Sequence, residues 1–328
     1  MRTVAGAMDD LLLFREGMGM LIQIVLPASL AVIMFSLGLG LTPDDFRQVL
    51  KTPKALFACF FSQIVLLPVV ALVIVVAFRL EGMLAVGMMI IALCPGGIPS
   101  NMLTRFARGD VALSISLTAV NSLIAVATIP VLVKLVMLYF TPEQAQSINV
   151  TRLSLAVFFI TILPAVLGML ARKVWPLSVD RLEAAFNALS TILFFLIVAI
   201  ATIDNWTVLS QNFWKLGPAV ILLIIVMLLA GGLLPMAIQL PGKQARTIAI
   251  ETATQNATMG VTVSGLALLS SESLSAICLP SAFYGVIQYL LLAPLALLLL
   301  RHMPDGPAAV TRKQQVETAF SPTEGQSL

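Results

Sequence analysis

An acidic residue, Glu251, interrupts an otherwise apolar stretch of the sequence. The segment IAIETATQNATMG around it carries many side-chain oxygens and no Lys or Arg. An ionised carboxylate in an apolar environment costs several kcal/mol unless it is paired, and hard cations prefer oxygen ligands. The pattern therefore predicts a bound cation at Glu251, while a protonated carboxyl group or a basic partner on another helix stays open. The neighbouring oxygen donors are Thr252, Thr254, Gln255, Asn256 and Thr258.

A second polar group follows a break in another apolar stretch. The segment PGGIP at residues 95–99 removes a backbone donor at each proline and loosens the chain. Carbonyl oxygens freed in this way must bind protein groups, water or an ion. Ser100 and Asn101 follow directly, and Ser114 and Thr118 lie four residues apart on one face of the next helix. A proline kink packed against a neighbouring helix is the structural alternative.

The other residues with chemical potential give weaker signals. Gln63 lies inside an apolar run and needs a partner, which a helix–helix hydrogen bond would also supply. The cysteines Cys59, Cys94 and Cys278 lie in apolar runs and are interpreted as small buried hydrophobes. With a lone His302 and neither paired carboxylates nor a Ser/Lys dyad, the sequence disfavours zinc, haem and hydrolytic chemistry, and hence an enzyme.

The composition of the chain indicates whether these residues are surrounded by water or by lipid. Of the 328 residues, 59% are hydrophobic and only 11% are charged, and the mean hydropathy is +1.02. A soluble chain carries about a quarter charged residues, so the solvent is mostly lipid. A net charge of +3 is too small and too scattered for a nucleic-acid surface. The sequence thus predicts an all-α polytopic membrane protein.

Hydropathy in windows of about 19 residues predicts nine spans. They form a transmembrane domain over residues 20–300, between an extracytoplasmic segment 1–19 and a disordered cytoplasmic tail 301–328. Lys and Arg divide 13 to 6 between alternate loops, and cytoplasmic loops collect basic residues, so the N-terminus is predicted outside the cell (inner) membrane. The spans lie near 20–41, 55–78, 82–103, 110–138, 152–171, 185–203, 217–239, 246–270 and 274–300.

The two polar breaks fall in the third and eighth of these spans. Transporters built from inverted repeats place discontinuous helices at corresponding points of their two halves. Here spans 1 to 4 would match spans 6 to 9, with span 5 opening the second half. The pairing favours two interrupted helices around a transport site over two unrelated kinks.

Four segments resemble the bile acid:sodium symporter family, whose bacterial members include transporters of small carboxylates. They are IMFSLGLGLTPDDF at 33–46, SQIVLLP at 62–68, CPGGIPSNMLTRFARGDVALSISLT at 94–118 and IETATQNATMG at 250–260. The resemblance implies a panel domain and a core domain. In the core domain, two unwound helices would cross near two sodium ions.

The resemblance also implies which residues bind these ions. The first sodium site would be formed by Ser100, Asn101, Ser114, Thr118 and Glu251. The second would be formed by the side chains of Gln63, Glu251 and Gln255 and the backbone oxygens of Thr252 and Thr254. Asn256 and Gln288 match positions that approach the substrate.

The leading hypothesis is a sodium-coupled secondary active symporter of an organic anion that works by alternating access. The anion would be a bile acid or a smaller carboxylate such as pantoate or a 2-oxo acid. The protein's other expected partner is the lipid bilayer, and no nucleic-acid partner is expected. The oligomeric state is left open, and a monomer is one of the alternatives. The alternatives are a proton-coupled or uncoupled organic-anion exporter, in which Glu251 takes up and releases a proton, and a non-transporting anion sensor.

Overall fold

The computed structural model describes residues 27–146, 148–175, 206–267 and 276–298, together with residue 25 and parts of 184–203. Within these ranges every element is helical, which confirms the predicted all-α class. A 3₁₀ turn at Ala276–Cys278 precedes the last helix. A single helical turn spans Pro142–Ala145, and the described residues of 184–193 are helical. The other helices are α1 (Pro27–Leu39), α2 (Pro43–Leu50), α3 (Pro53–Ala77), α4 (Gly82–Leu93), α5 (Ile98–Phe106), α6 (Val111–Phe140), α7 (Val150–Val174), α8 (Trp206–Ala237), α9 (Gly242–Ala253), α10 (Ala257–Ala267) and α11 (Leu279–Leu298).

Five of the described helices are long and apolar enough to cross a membrane. They are α3, α6, α7, α8 and the segment Ala276–Leu298, which includes α11. Their outer faces are apolar, and on α3 Val73 and Val76 are each 62% exposed. Apolar side chains turned outward at this density are typical of helices in lipid. The chain is therefore a multi-pass membrane protein.

Two predicted spans are each divided into two helices. Residues 94–97 separate α4 from α5, and residues 254–256 separate α9 from α10. Pro99 lies in the first turn of α5, where a backbone N–H would have no helical acceptor. The side chain of Asn256 accepts a hydrogen bond from the backbone N–H of Met259 at 3.0 Å, which caps the start of α10. Each interruption thus has a residue that begins the next helix.

Helices α1 and α7 cross with their backbones in close approach. A Cβ atom added at Gly168 would overlap the carbonyl oxygen of Phe35, so only glycine allows this contact. One turn later, Arg172 donates to the carbonyl oxygen of Leu39 at 2.6 Å, at the end of α1. The pair is fixed by a small residue inside the crossing and by a charged side chain at its end.

Some boundaries differ from the predicted ones. Helix α8 begins at Trp206 rather than near 217, because Asn212 and Lys215 lower the local hydropathy without interrupting the helix. The side chain of Asn212 donates to the carbonyl oxygen of Val208, one turn back, at 2.9 Å. The start of the first predicted span, six of the 19 residues 185–203, residues 268–275 and the tail 301–328 lie outside the described residues. The count of nine spans and the panel and core division stay predictions.

Candidate functional site

The two helix interruptions meet inside the protein. The backbone N–H of Asn256 donates to the carbonyl oxygen of Pro95 at 2.8 Å. Helix α11 supports the second interruption from the side. The hydroxyl of Tyr284 donates to the carbonyl oxygen of Ala253 at 2.8 Å, and the backbone N–H of Gln255 donates to the side-chain oxygen of Gln288 at 3.0 Å. Unwinding removes helical partners from such backbone groups, and α11 supplies substitutes.

Glu251 lies in the last turn of α9 with no exposed surface. Its Oε1 accepts a hydrogen bond from Thr118 Oγ1 at 2.5 Å, and its Oε2 accepts one from Ser114 Oγ at 3.1 Å. The first interruption packs directly against this carboxylate, because a Cβ atom added at Gly96 would overlap Oε1. Residues from α6, α9 and the first interruption therefore converge on one buried carboxyl group.

Further hydroxyl groups from α5 extend this cluster. Ser100 Oγ donates to the carbonyl oxygen of Gly97 at 2.7 Å and lies 3.3 Å from Thr118 Oγ1. Thr104, one turn after Ser100, donates to Ser114 Oγ at 3.3 Å. The structure thus joins Ser100, Ser114 and Thr118 with Glu251 in one network. Asn101 Oδ1 is buried and accepts no hydrogen bond from the described residues.

A second group of amides lies at the crossing. Gln63 Nε2 donates to Gln255 Oε1 at 2.8 Å and more weakly to the carbonyl oxygen of Cys94 at 3.4 Å. Gln255 Nε2 in turn donates to the carbonyl oxygen of Thr252 at 3.0 Å. Gln63 belongs to a π-helical turn of α3, Phe61–Leu66, and such turns are frequent at functional sites. Gln63 is thereby linked to Gln255 and Thr252, which follow Glu251 closely in the chain.

The chemistry of these groups fits a small hard cation. Among the described residues the one ion pair is the exposed Arg47–Asp44 contact at 3.2 Å, so no described basic residue pairs with Glu251. The same part of the chain holds no cluster of three His, Cys, Asp or Glu side chains. One carboxylate surrounded by neutral oxygens suits a monovalent cation. Among the predicted sodium-site residues, the buried oxygens without a described partner are Gln63 Oε1, Asn101 Oδ1, Thr252 Oγ1 and Thr254 Oγ1.

Apolar membrane-crossing helices, together with two interrupted helices that meet at a buried carboxylate, define a transporter-type membrane protein. A profile of the Sodium Bile acid symporter family matches residues 27–212, more than half of the chain. The chain belongs to this family. The resemblance seen in the four sequence segments is confirmed.

Individual relatives are similar over most of the chain. The uncharacterized sodium-dependent transporter YocS of Bacillus subtilis is 29% identical over 257 residues, covering 78% of this chain and 77% of YocS. The human ileal sodium/bile acid cotransporter is 28% identical over 288 residues, covering 84% of this chain and 78% of the cotransporter. The probable chloroplastic sodium/metabolite cotransporter BASS2 of rice is 29% identical over 231 residues, and the chain spans about half, 54%, of its length.

Two residues of the site were missed by sequence reasoning. Thr104 and Tyr284 are both fully buried and each donates a hydrogen bond into the crossing. A signal was present for both, since Thr104 follows Ser100 by four residues and Tyr284 precedes Gln288 by four. Polar residues at this spacing share one helix face, so each pair faces the same neighbouring segment, α6 for the first pair and residues 253–255 for the second.

Proposed function

We propose that the chain is a sodium-coupled symporter of an organic anion that works by alternating access. The observation that carries the proposal is Glu251, a buried carboxylate that receives two hydroxyl hydrogen bonds beside the helix interruptions. A cation is its natural counter-charge. The names of the relatives describe sodium-dependent transport or cotransport, which supports sodium as that cation.

The first sodium ion binds at the hydroxyl cluster. A hydroxyl group has one donor and two acceptor lone pairs, so Ser114 and Thr118 can donate to the free carboxylate and then turn lone pairs to an ion. The carboxylate balances the charge of the ion, and the unpaired oxygen of Asn101 adds a ligand. The ligands are the side chains of Ser100, Asn101, Ser114, Thr118 and Glu251.

The second sodium ion binds the same carboxylate of Glu251 as the first, on the side where the amides of Gln63 and Gln255 lie. Gln63 Oε1 is buried without a described partner, while its Nε2 holds Gln255 in place. The unwound chain after α9 brings backbone oxygens to the same region. The ligands are the side chains of Gln63, Glu251 and Gln255 and the backbone oxygens of Thr252 and Thr254.

The organic anion binds where the two interruptions cross. Helices α5 and α10 both begin there, and the positive ends of helix dipoles stabilise anionic groups. A carboxylate or sulfonate can thus bind without a buried Arg. Asn256 and Gln288 are the side chains that contact the anion. The substrate is a bile acid or a smaller carboxylate.

The chain is proposed to lie in the cell (inner) membrane with its N-terminus outside and residues 301–328 in the cytoplasm. One contact supports the placement of two basic segments on the same side. Arg246, near the start of α9, donates to the carbonyl oxygen of Arg108, between α5 and α6, at 3.1 Å, and both segments are predicted on the cytoplasmic side.

Coupling follows from the shared site. With sodium absent, the anion would meet a site whose one buried charge, Glu251, is negative. With sodium bound, this charge is neutralised and the helix ends are held in place. The anion therefore binds the sodium-loaded form more tightly, and such a difference in affinity between states is what coupling requires.

The decisive experiment is anion uptake by Glu251→Ala in proteoliposomes. We expect sodium-dependent uptake to be abolished while the protein still folds and inserts, because the ions lose their only charged ligand. Glu81→Gln is the matched control, since Glu81 is exposed before α4, and it should transport as the unmodified chain does.

Replacing sodium by choline at constant pH separates this proposal from proton coupling. Uptake should disappear for the unmodified chain. Uptake that persists in choline and responds to a proton gradient would instead assign Glu251 to proton transfer, and undiminished sodium-dependent uptake by Glu251→Ala would refute the scheme.

A further inference from the structure

A small cavity lies between α3, α6 and the first helix interruption. Its volume of about 20 Å³ is enough for one water molecule, which needs about 10–15 Å³ on the same measure. Gln63 and Asn121 line it, and they are only 5% and 3% exposed. Asn121 was not singled out by the sequence, and none of the proposed sodium ligands requires it.

Both amides leave an oxygen unpaired. Neither Gln63 Oε1 nor Asn121 Oδ1 accepts a hydrogen bond from the described residues. Their nitrogens are occupied, since Gln63 Nε2 donates to Gln255 and Asn121 Nδ2 donates to Cys59 Sγ at 3.6 Å. A buried acceptor without a partner costs about 1–3 kcal/mol, so a donor that reaches both oxygens would stabilise the fold.

The other polar groups of the cavity wall are already engaged. Thr128 Oγ1 donates to the carbonyl oxygen of Ile124, within its own helix. The carbonyl oxygens of Cys94 and Pro95 accept from Gln63 and Asn256. Two free oxygens are too few for a sodium ion, whereas a water molecule has two hydrogens and needs two to four polar partners.

We propose that this cavity binds one water molecule that donates to both Gln63 Oε1 and Asn121 Oδ1. Asn121 is thereby a positioning residue for Gln63. An amide oxygen has two lone pairs, so Gln63 Oε1 can accept from the water and still face the second sodium ion. The link to sodium rests on the proposed function, whereas the water site itself does not.

Asn121 is well placed to connect the two sodium sites. It follows Thr118 by three residues on α6, and residues at this spacing are neighbours on a helix face. Thr118 binds Glu251 directly, while Asn121 reaches Gln63 through the water. One face of α6 therefore positions ligands of both ions.

The test compares variants of Asn121 in the purified full chain. Sodium is titrated while the thermal unfolding temperature is followed, which gives a half-saturating concentration and a Hill coefficient. Asn121→Leu removes the oxygen and keeps a similar side-chain volume. It should raise the half-saturating sodium concentration about tenfold, because removing a hydrogen-bond partner of a metal ligand lowers metal affinity about 10–100-fold. The Hill coefficient should fall toward one. Asn121→Ser, which keeps an oxygen, should recover most of the affinity.

A control variant separates this role from general packing. Thr128→Val removes another hydroxyl group from the same cavity wall and should leave the half-saturating sodium concentration unchanged. If Asn121→Leu lowers the unfolding temperature without changing sodium half-saturation, Asn121 is a packing residue and the positioning role is wrong.

A density map that resolves ordered water tests the site directly. In the unmodified chain we expect one peak within hydrogen-bonding distance of both amide oxygens, and no such peak in Asn121→Leu. A map with ordered water elsewhere and none here would overturn the inference even if sodium coupling holds. An unmodified chain that sodium does not stabilise would instead refute the proposed function, while the peak would still establish the water site.

Discussion

At the scale of single residues, the hydroxyl groups around Glu251 have two roles. In the structure Thr118 and Ser114 donate to the carboxylate at 2.5 and 3.1 Å, which offsets part of the cost of burying its charge. In the proposed sodium-bound form the same oxygens face the ion. A side chain that can only donate, or has no polar atom, cannot serve both forms, which explains why Ser and Thr occupy these positions.

Replacing Thr118 by Val tests this dual role. We expect Thr118→Val to raise half-saturating sodium about tenfold, because a hydrogen bond or ligand contact with a charged group contributes about 1.5–3 kcal/mol. Thr118→Ser keeps the hydroxyl and should stay close to the unmodified chain. Thr161→Val is the matched control, since Thr161 Oγ1 is buried but donates to the carbonyl oxygen of Val157 in its own helix at 2.6 Å. Sodium titrations by thermal shift measure all three, and an unchanged half-saturation in Thr118→Val would contradict the first site.

At the scale of elements, α9 and α6 pack in a defined register. Thr247 Oγ1 accepts from the backbone N–H of Asp110 at 2.7 Å, and four residues further along both helices Ser114 donates to Glu251. The two contacts are therefore one helical turn apart on each helix, so the helices run in the same direction here. The side chain of Asp110 caps α6 by accepting from the N–H of Leu113 at 3.0 Å. The start of α6 is thus anchored to α9 one turn before the carboxylate.

Removing the Thr247 hydroxyl should loosen this register. Thr247→Val leaves the N–H of Asp110 without its acceptor, which costs about 1–3 kcal/mol, and lets Ser114 move relative to Glu251. We expect a lower unfolding temperature without sodium and a several-fold higher half-saturating sodium concentration, measured by thermal shift. Thr247→Ser should preserve both values. A variant that is destabilised while its sodium affinity stays unchanged would show that the anchor supports α6 without setting the site.

Sequence alone predicts the positions of both interruptions and of Glu251, because the residues responsible are recognisable within their own short segments. PGGIP disrupts a helix by known backbone chemistry, and a carboxylate in an apolar run stands out without any tertiary information. The anchor between Thr247 and Asp110 could not be predicted, since it joins residues 137 positions apart that are ordinary in their own segments. The spacing of Tyr284 from Gln288 places both on one helix face, but it does not indicate that the partner of Tyr284 is the carbonyl oxygen of Ala253.

At the scale of the whole molecule, the interruptions make one connected unit from distant parts of the chain. The hydrogen bond from Asn256 to Pro95 joins them, and Glu251 receives contacts from α6 while α11 supports the unwound chain. A change at the carboxylate thus reaches α6 and the first interruption by direct contact, and α11 through the unwound chain after α9. Because both proposed sodium sites share Glu251, their occupation is expected to be cooperative, and the proposed anion site is at the adjacent crossing of the interruptions.

The charge carried in each cycle provides a test at this scale. Two sodium ions and one monovalent anion move one net positive charge, so an inside-negative potential should accelerate uptake into proteoliposomes. A tenfold sodium gradient with 100 mV would supply about 5 kcal/mol, on the order of a thousandfold accumulation. Potentials set by potassium and valinomycin, with Glu251→Ala as the background, measure this dependence. Uptake that needs sodium but is independent of potential would indicate one transported ion per anion, and one of the two sites would then hold no transported sodium.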